Sequence, residues 1–187
     1  GRVLQIAQRI RNPVRERATC ELLAQAEGAA QNYDAASKLA ARTLQLSQAL
    51  KFERALPVDF YNLGFFHYAN QKPTEALAFF QQSAERIGSM GNHPVVKELY
   101  YFMGLAHLRT GNLDSAKQSL LNGLGPAQQA KDWRKMVSSL DNLATIEEKQ
   151  GNADVARKFL SDAIDFAKQA ELREERKNLK RRLKALS

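Results

Sequence analysis

The sequence predicts an all-α solenoid of about four antiparallel helical hairpins followed by a C-terminal capping helix. Apolar residues recur at three- and four-residue steps, as on one face of a helix, and no stretch alternates in the manner of a half-buried strand. A pair made of a large apolar residue and a small one also recurs every forty positions: Leu23 and Ala24, Leu63 and Gly64, Met103 and Gly104, Leu143 and Ala144. A period of this length is typical of arrays whose units bury their apolar faces against one another.

Residues 93–132 illustrate one hairpin. Its first helix ends at Gly111 and Asn112, which predict a turn whose asparagine caps the second helix. Asp114 suits the first turn of that second helix, because a negative charge there complements the helix dipole. The same scheme divides the chain into the second helix of a truncated preceding repeat (1–12), repeat 1 (13–52), repeat 2 (53–92), repeat 3 (93–132), repeat 4 (133–171) and a capping helix (172–187).

Two positions in each hairpin are always small. They hold Ala24, Gly64, Gly104 and Ala144 in the first helices, and Ala36, Ala76, Ala116 and Ala156 in the second. Two helices need small residues where their backbones approach most closely. The sequence therefore predicts that the two helices of a hairpin cross at these positions.

These residues resemble the tetratricopeptide repeat, whose signature is a large apolar residue, Leu-Gly or Leu-Ala, an aromatic, a turn glycine, then Ala, an aromatic or Leu, and Ala. His67, His107 and Glu147 depart from it, since they occupy the slot of the usual aromatic. The forty-residue period is similar to that of the long-repeat subset found in spindle-orientation adaptors, kinesin light chains and bacterial peptide-sensing regulators. The resemblance implies a right-handed superhelix whose first helices line a concave, partner-binding groove.

The two ends of the chain are basic. Residues 1–18 and 171–187 each carry a net charge of +4 out of the total of +8, so residues 19–170 are neutral. The chain opens in the second half of a hairpin, and Gly1 has the look of a cloning scar, which suggests a fragment of a longer protein. The apolar stripe Val3, Ala7 and Ile10 is compatible with self-association through this truncated helix. The charges of the capping helix are expected mostly to serve solubility.

An irregularity falls inside the second helix of repeat 3, where Gly123, Gly125 and Pro126 follow closely. Proline removes a backbone donor and clashes with the preceding turn, so the sequence predicts a kink or an early helix end there. The segment either bends the array locally or serves as a hinge between repeats 1–2 and 3–4.

The groove side chains follow from helical geometry. They lie on a face rotated away from the packing residues, at spacings of three and four. We predict the site residues Tyr61, Asn62, Phe65, Tyr68, Tyr101, Leu105, Leu108, Arg109, Asp141, Asn142 and Thr145. A surface of this aromatic content is typical of an interaction site.

Two kinds of polar contact are expected in the groove. In related adaptors an asparagine at the place of Asn62 and Asn142 grips the extended backbone of a bound segment, and an amide offers both a donor and an acceptor. Arg109 can pair with an acidic group of the ligand. The less favoured alternative is that the tyrosine stripe contacts another repeat or a neighbouring chain.

The predicted function is a non-enzymatic adaptor or scaffold that binds a peptide or helix of a partner protein in the groove. The alternative is an intramolecular sensory domain that controls an attached effector domain or responds to a peptide. A third, less favoured reading is nucleic-acid or acidic-membrane binding through the basic ends, namely Arg2, Arg9, Arg11, Arg15, Arg17 and the cluster at 173–184.

Other classes find little support in the sequence. His67, His93 and His107 are far apart, and no recognisable catalytic or phosphate-binding motif accompanies them. Cys20 is alone, so no intrachain disulfide or multi-cysteine metal cluster can form. We expect no catalytic residues, cofactor or metal. No apolar run is long enough to cross a bilayer and no leader opens the sequence, so we expect a soluble, cytoplasmic protein.

Overall fold

The structure, a computed structural model, describes residues 12–88 and 93–186 of the 187-residue chain. Within these ranges the chain forms nine α-helices and no β-strand, which confirms the all-α prediction. The helices are α1 (Pro13–Ala29), α2 (Tyr33–Ala49), α3 (Leu56–Ala69), α4 (Pro73–Gly88), α5 (Val96–Arg109), α6 (Leu113–Gln129), α7 (Trp133–Lys149), α8 (Ala153–Gln169) and α9 (Arg173–Ala185). The helix predicted at 1–12, with its self-association stripe, lies outside the described residues apart from Asn12.

A residue in the left-handed region stands after each of seven helices, at intervals that are multiples of twenty. These residues are Gln31, Lys51, Gln71, Gly111, Lys131, Gly151 and Glu171, with φ between 54° and 80°. The left-handed step lets the next amide donate back into the helix, as Asn32 N–H does to the Glu27 carbonyl at 2.8 Å. The turns within hairpins and between them thus share one conformation, although the sequence repeats only every forty residues.

Asn112, which was predicted to cap a helix, and the equivalent Asn32 and Asn152 occupy N-cap positions, but their side chains form no capping hydrogen bond. Asn32 and Asn152 donate from Nδ2 to the preceding helix, to Oε2 of Glu27 and of Glu147, each at 2.8 Å. Asn112 donates to the Thr110 hydroxyl instead of capping α6. The capping prediction for Asn112 is therefore wrong, because the amide is drawn to an acceptor in the turn before it.

Between Val95 and Val96 the chain divides into two compact units. In the N-terminal unit, successive helices from α1 to α4 pack on one another around a core that includes Ala36, Ala40, Phe60, Leu63 and Phe66. In the C-terminal unit, successive helices from α5 to α9 pack around Leu120, Leu140, Leu143, Leu160 and Leu179. The division falls well before Gly123, the place where the sequence suggested a hinge.

The small positions lie where the helices of a hairpin meet. A Cβ atom added to Gly64 would stand 2.7 Å from the ring of Phe80, and one added to Gly104 would stand 2.7 Å from Cγ of Leu120. Both distances are far below ordinary contact, so each glycine makes room for the large side chain sixteen residues later. The predicted close approach of the two helices is present in both hairpins.

Helix α6 continues through the Gly123–Pro126 segment. It runs unbroken from Leu113 to Gln129 with Pro126 inside it, so the expected early end is wrong. The proline sits in the last turn, where only the carbonyl one turn earlier loses its bond. A Cβ at Gly123 would lie 3.4 Å from Cβ of Tyr100 on α5, which is an ordinary van der Waals contact.

The last helix is held by its apolar residues. Leu179 is buried in the core of the C-terminal unit, and Leu183 and Leu186 pack against that core. Helix α9 therefore packs on the same core as α7 and α8. Among the described residues, no helix is both long enough and apolar enough to cross a membrane.

Candidate functional site

An aromatic stripe runs along α3 in the N-terminal unit. The α3 stripe consists of Tyr61, Asn62, Phe65 and Tyr68, and all four side chains are half-buried. The ring of Tyr61 stacks on Phe65 with centroids 6.3 Å apart, and on the fully buried Phe80 of α4 at 6.1 Å. Phe80 fills the space beside Gly64 and also stacks on Tyr61. The packing of α4 against α3 at this small position therefore also supports the α3 stripe.

A buried ion-pair network fixes α3 against the first hairpin. Asp59 is 1% exposed, and its carboxylate accepts two hydrogen bonds from Nη2 of Arg17 on α1, at 3.0 and 3.3 Å. The same guanidinium donates to the Ser47 hydroxyl of α2 at 2.5 Å and pairs with Glu21 at 2.9 Å. Burial raises the pKa of Asp59, although Ser47 and Arg17 favour its ionised form. One side chain thereby ties three helices together next to the stripe.

Asn62 lies at the edge of a narrow crevice between α1, α2 and α3. Glu21, Gln25 and Thr43 line the crevice with it, and its volume of about 10 Å³ is that of a single water molecule. No hydrogen bond to the Asn62 amide is present within residues 12–88 and 93–186. Its donor and acceptor are therefore available to a ligand.

The corresponding stripe of the C-terminal unit lies on α5. The α5 stripe consists of Tyr101, Leu105 and Leu108, all half-buried, and Tyr101 and Leu108 pack against the unit's core. Lys135 of α7 places its Nζ 4.6 Å from the Tyr101 ring centroid, within cation–π range, and 2.5 Å from Oε2 of Glu98. The sequence pattern gave no sign of this lysine, because it lies on a neighbouring helix.

The remaining polar residues of the predicted site differ in their surroundings within the protein. Asn142 donates from Nδ2 to the Ser138 carbonyl of its own helix at 2.7 Å, which leaves only its carbonyl oxygen for a ligand. Arg109 is exposed at the end of α5. The two asparagines at matching positions thus differ, because Asn142 has a hydrogen bond within its own helix.

Arg182 of α9 covers the part of the predicted surface on α7. Its guanidinium binds the Asp141 carboxylate, donates to the Thr145 hydroxyl at 3.0 Å and pairs with Glu148 at 2.6 Å. Burial raises the pKa of Asp141, while the charge of Arg182 opposes that shift. The acidic segment of the predicted groove is thus occupied by the chain's own last helix, and at least this cation of the capping helix has a structural role beyond solubility.

The position at which the repeat signature usually has an aromatic residue holds His67, His107 and Glu147, whose polar atoms are partly or fully buried. The Nδ1 atoms of His67 and His107 are buried and have no hydrogen-bond partner within the described residues. Burial lowers the pKa of both imidazoles, and the charge of Lys72 lowers that of His67 further. Burial tends to raise the pKa of Glu147, but hydrogen bonds from Lys117 and Asn152 outweigh it, and the resulting pKa lies below the ordinary value.

Comparison with known proteins places these features in a family. Residues 59–121, from within α3 to within α6, match the tetratricopeptide repeat. Residues 59–121 therefore carry the tetratricopeptide repeat. Gly64, Ala76, Gly104 and Ala116 lie within the matched residues, in agreement with the sequence resemblance.

Relatives of known sequence and structure agree with this assignment. The chain is 27% identical over 117 residues to Tonsoku-like protein from Danio rerio, an alignment that covers 58% of this chain and 8% of that protein. Its fold is similar to BtubC (BKLC) from P. vanneervenii, with a TM-score of 0.71 at 14% identity over 99% of this chain and 87% of the other. A putative kinesin light chain from Podosopora anserina gives 0.68 at 15% identity, over 94% and 96%.

Proposed function

We propose that this chain is a protein-interaction module that acts by binding and catalyses no reaction, and that its principal contact surface is the α3 stripe. The half-exposed aromatic rings of that stripe, resting on the buried Phe80, are the observation that carries the proposal. Rigid aromatic side chains give large contact areas at a small entropic cost, which is why they dominate the binding energy of protein interfaces. The ligand is a peptide or helix of a partner protein.

The geometry of the N-terminal unit supports two kinds of contact. Tyr61, Phe65 and Tyr68 recur at four- and three-residue steps along α3 and offer apolar area to side chains of the ligand. Asn62 lies beside them with its amide available, and a primary amide can donate to a peptide carbonyl while it accepts from a peptide N–H. This combination suits an extended segment whose backbone crosses α3.

In the C-terminal unit we assign the same role to the α5 stripe together with Arg109. Lys135 lies over the Tyr101 ring and is paired with Glu98 at 2.5 Å, so it holds the ring in place and the surface offers mainly apolar contact to a ligand. Asp141 and Thr145 contribute less to binding than the sequence suggested, since Arg182 already holds both.

The proposal is tested by selecting ligands directly. A random peptide library displayed on phage is panned on the folded chain, and the dissociation constant of a selected peptide is measured by calorimetry. Tyr61→Ala removes a stacked ring at the centre of the stripe, so we expect affinity to fall about tenfold or more, as for an interface hot spot.

Two further variants make the result decisive. Asn62→Ala removes only the amide, and we expect a smaller loss of affinity with unchanged thermal stability. Val155→Ala truncates an apolar side chain that is 42% exposed on α8, and it serves as the matched control with unchanged affinity. Equal affinity in Tyr61→Ala and the control, with circular dichroism showing both folded, contradicts the proposal.

A further inference from the structure

Helix α9 carries a continuous row of cations on one face. The α9 cation face consists of Arg173, Arg176, Lys177, Lys180, Arg181 and Lys184, which recur at three- and four-residue steps and line an open trough of about 500 Å³. The eleven residue steps from Arg173 to Lys184 correspond to roughly 16 Å along the helix axis. The composition shows only that the C-terminal end is basic, whereas the structure gathers these charges on one surface.

These cations replace residues that are buried in a complete hairpin. Forty positions before Arg176, Lys177, Lys180 and Lys184, helix α7 holds apolar side chains with 0 to 5% exposure: Met136, Val137, Leu140 and Ala144. Helix α9 therefore corresponds in sequence to the first helix of a hairpin. It carries charged side chains at the positions where such a helix would contact the second helix. Burying unpaired cations is costly, so this face cannot receive a helix as α7 does.

The cation face has few partners within the protein. No ion pair with a carboxylate is formed by its six members within residues 12–88 and 93–186, and the buried Nε of Arg176 has no acceptor there. The neighbouring Glu175 lies 3.8 Å from Arg134 of α7 and so points its charge away from the row. The face thus carries a net positive charge, although the exposed Glu174 lies on the same helix.

We propose that the α9 cation face binds the phosphodiester backbone of a nucleic acid without reading its sequence. A single strand of a DNA duplex advances about 3.4 Å per phosphate, so the row can lie alongside about five phosphates. Lysine and arginine side chains supply the charge, and among the residues that line the trough there is no aromatic side chain on which a base could stack; the one amide beside it, Asn178, accepts a hydrogen bond from Arg181.

Other acidic partners fit this face less well. A membrane surface is bound by helices that also insert apolar residues, but Leu179 and Leu183 of α9 are already used in the core. An acidic protein segment would find no apolar or aromatic anchor on the cation face, and such anchors supply most of the energy of protein interfaces. The basic residue Arg17 at the other end of the chain is already engaged with Asp59.

The test measures binding of the whole chain to a fluorescent mixed-sequence DNA duplex by anisotropy at several salt concentrations. The triple variant Lys177→Gln, Lys180→Gln and Lys184→Gln changes three exposed residues of the face. Because each lost phosphate contact reduces the slope of log K against log salt by about 0.9, we expect the slope to become less steep by about 2.7 and the affinity at low salt to fall about tenfold or more.

A charge-matched control separates position from net charge. Lys38→Gln, Lys51→Gln and Lys131→Gln remove the same total charge from exposed sites elsewhere, and we expect duplex binding close to that of the unaltered chain. An equal loss in the two triple variants overturns the proposal, as does an unchanged slope in the α9 variant. Tighter binding to polyglutamate or to phosphatidylserine vesicles than to the duplex at the same salt overturns the choice of nucleic acid.

Discussion

The left-handed turn residues allow a reciprocal test of how this fold is encoded. Gly151 and Lys131 stand at equivalent places twenty residues apart in the C-terminal unit, with φ of 79° and 54°. A Cβ added at Gly151 meets nothing within 4 Å, so a substitution there changes backbone energy without a steric clash. We therefore expect Gly151→Ala to destabilise the protein and Lys131→Gly to stabilise it.

The magnitude follows from two opposing terms. An L-residue in the left-handed region costs about 1–2 kcal/mol, whereas glycine has no such penalty. Glycine in turn makes the unfolded chain more flexible, which offsets about 0.4–1 kcal/mol of that difference. The net change is about 1 kcal/mol in each direction, so the two variants should differ by about 2 kcal/mol in the free energy of unfolding.

Urea unfolding followed by far-ultraviolet circular dichroism measures both variants under identical conditions. A change of 1 kcal/mol corresponds to about 2–4 °C in Tm for a chain of this size, so a thermal melt provides a second reading. Lys131→Ala is the control, because it removes the exposed side chain and keeps an L-residue in the turn. Stability changes of the same sign in Gly151→Ala and Lys131→Gly would refute the reasoning.

Two predictions concern pH. Because burial lowers the pKa of His67 and His107, the unfolded chain binds protons more readily, so stability is full above the ordinary histidine pKa of about 6.5 and falls as the pH drops below it. In the double variant His67→Phe and His107→Phe, the urea concentration at the unfolding midpoint should change less between about pH 7.5 and 5.5 than in the unaltered chain. A midpoint that stays constant over that range in the unaltered chain contradicts the assignment. The pKa of Glu147 is lowered in the folded chain, so its contribution is complete above the ordinary value of about 4.3 and is lost as the pH falls through the folded-state pKa. Glu147→Gln should therefore lower stability at neutral pH and weaken the acid dependence, and an identical acid midpoint in the variant argues against the Lys117 pair.

The helices and their crossing points could be predicted from the sequence because both depend on local information. Apolar spacing of three and four residues defines a helix face, and a small residue at a fixed place in each period marks the closest approach of two helices. The structure shows two of these crossing points, where Gly64 lies beside Phe80 and Gly104 lies beside Leu120. The capping role of Asn112 and the end expected near Pro126 were wrong, because a cap side chain has several nearby acceptors and a proline in a last turn removes little.

The candidate surface was predicted less completely. Helical geometry identified Tyr61 and Phe65 as neighbours on one face, and the structure places their rings 6.3 Å apart. Nothing in the repeat pattern indicated that Lys135 lies over Tyr101 or that Arg182 reaches Asp141, since these contacts join side chains of different helices 34 and 41 residues apart in sequence.

The sequence by itself determined that the chain consists of helical hairpins with fixed crossing points, because periodicity and side-chain size act over one or two turns of helix. Only the tertiary structure decided which charged side chains form ion pairs within the protein. Arg17 is held by a buried carboxylate and Arg182 by the acidic positions of α7, while the cations of α9 line a trough of their own. Charge acts through space over distances that depend on how helices pack, so the position of a basic residue along the chain does not reveal whether it serves the fold or a partner.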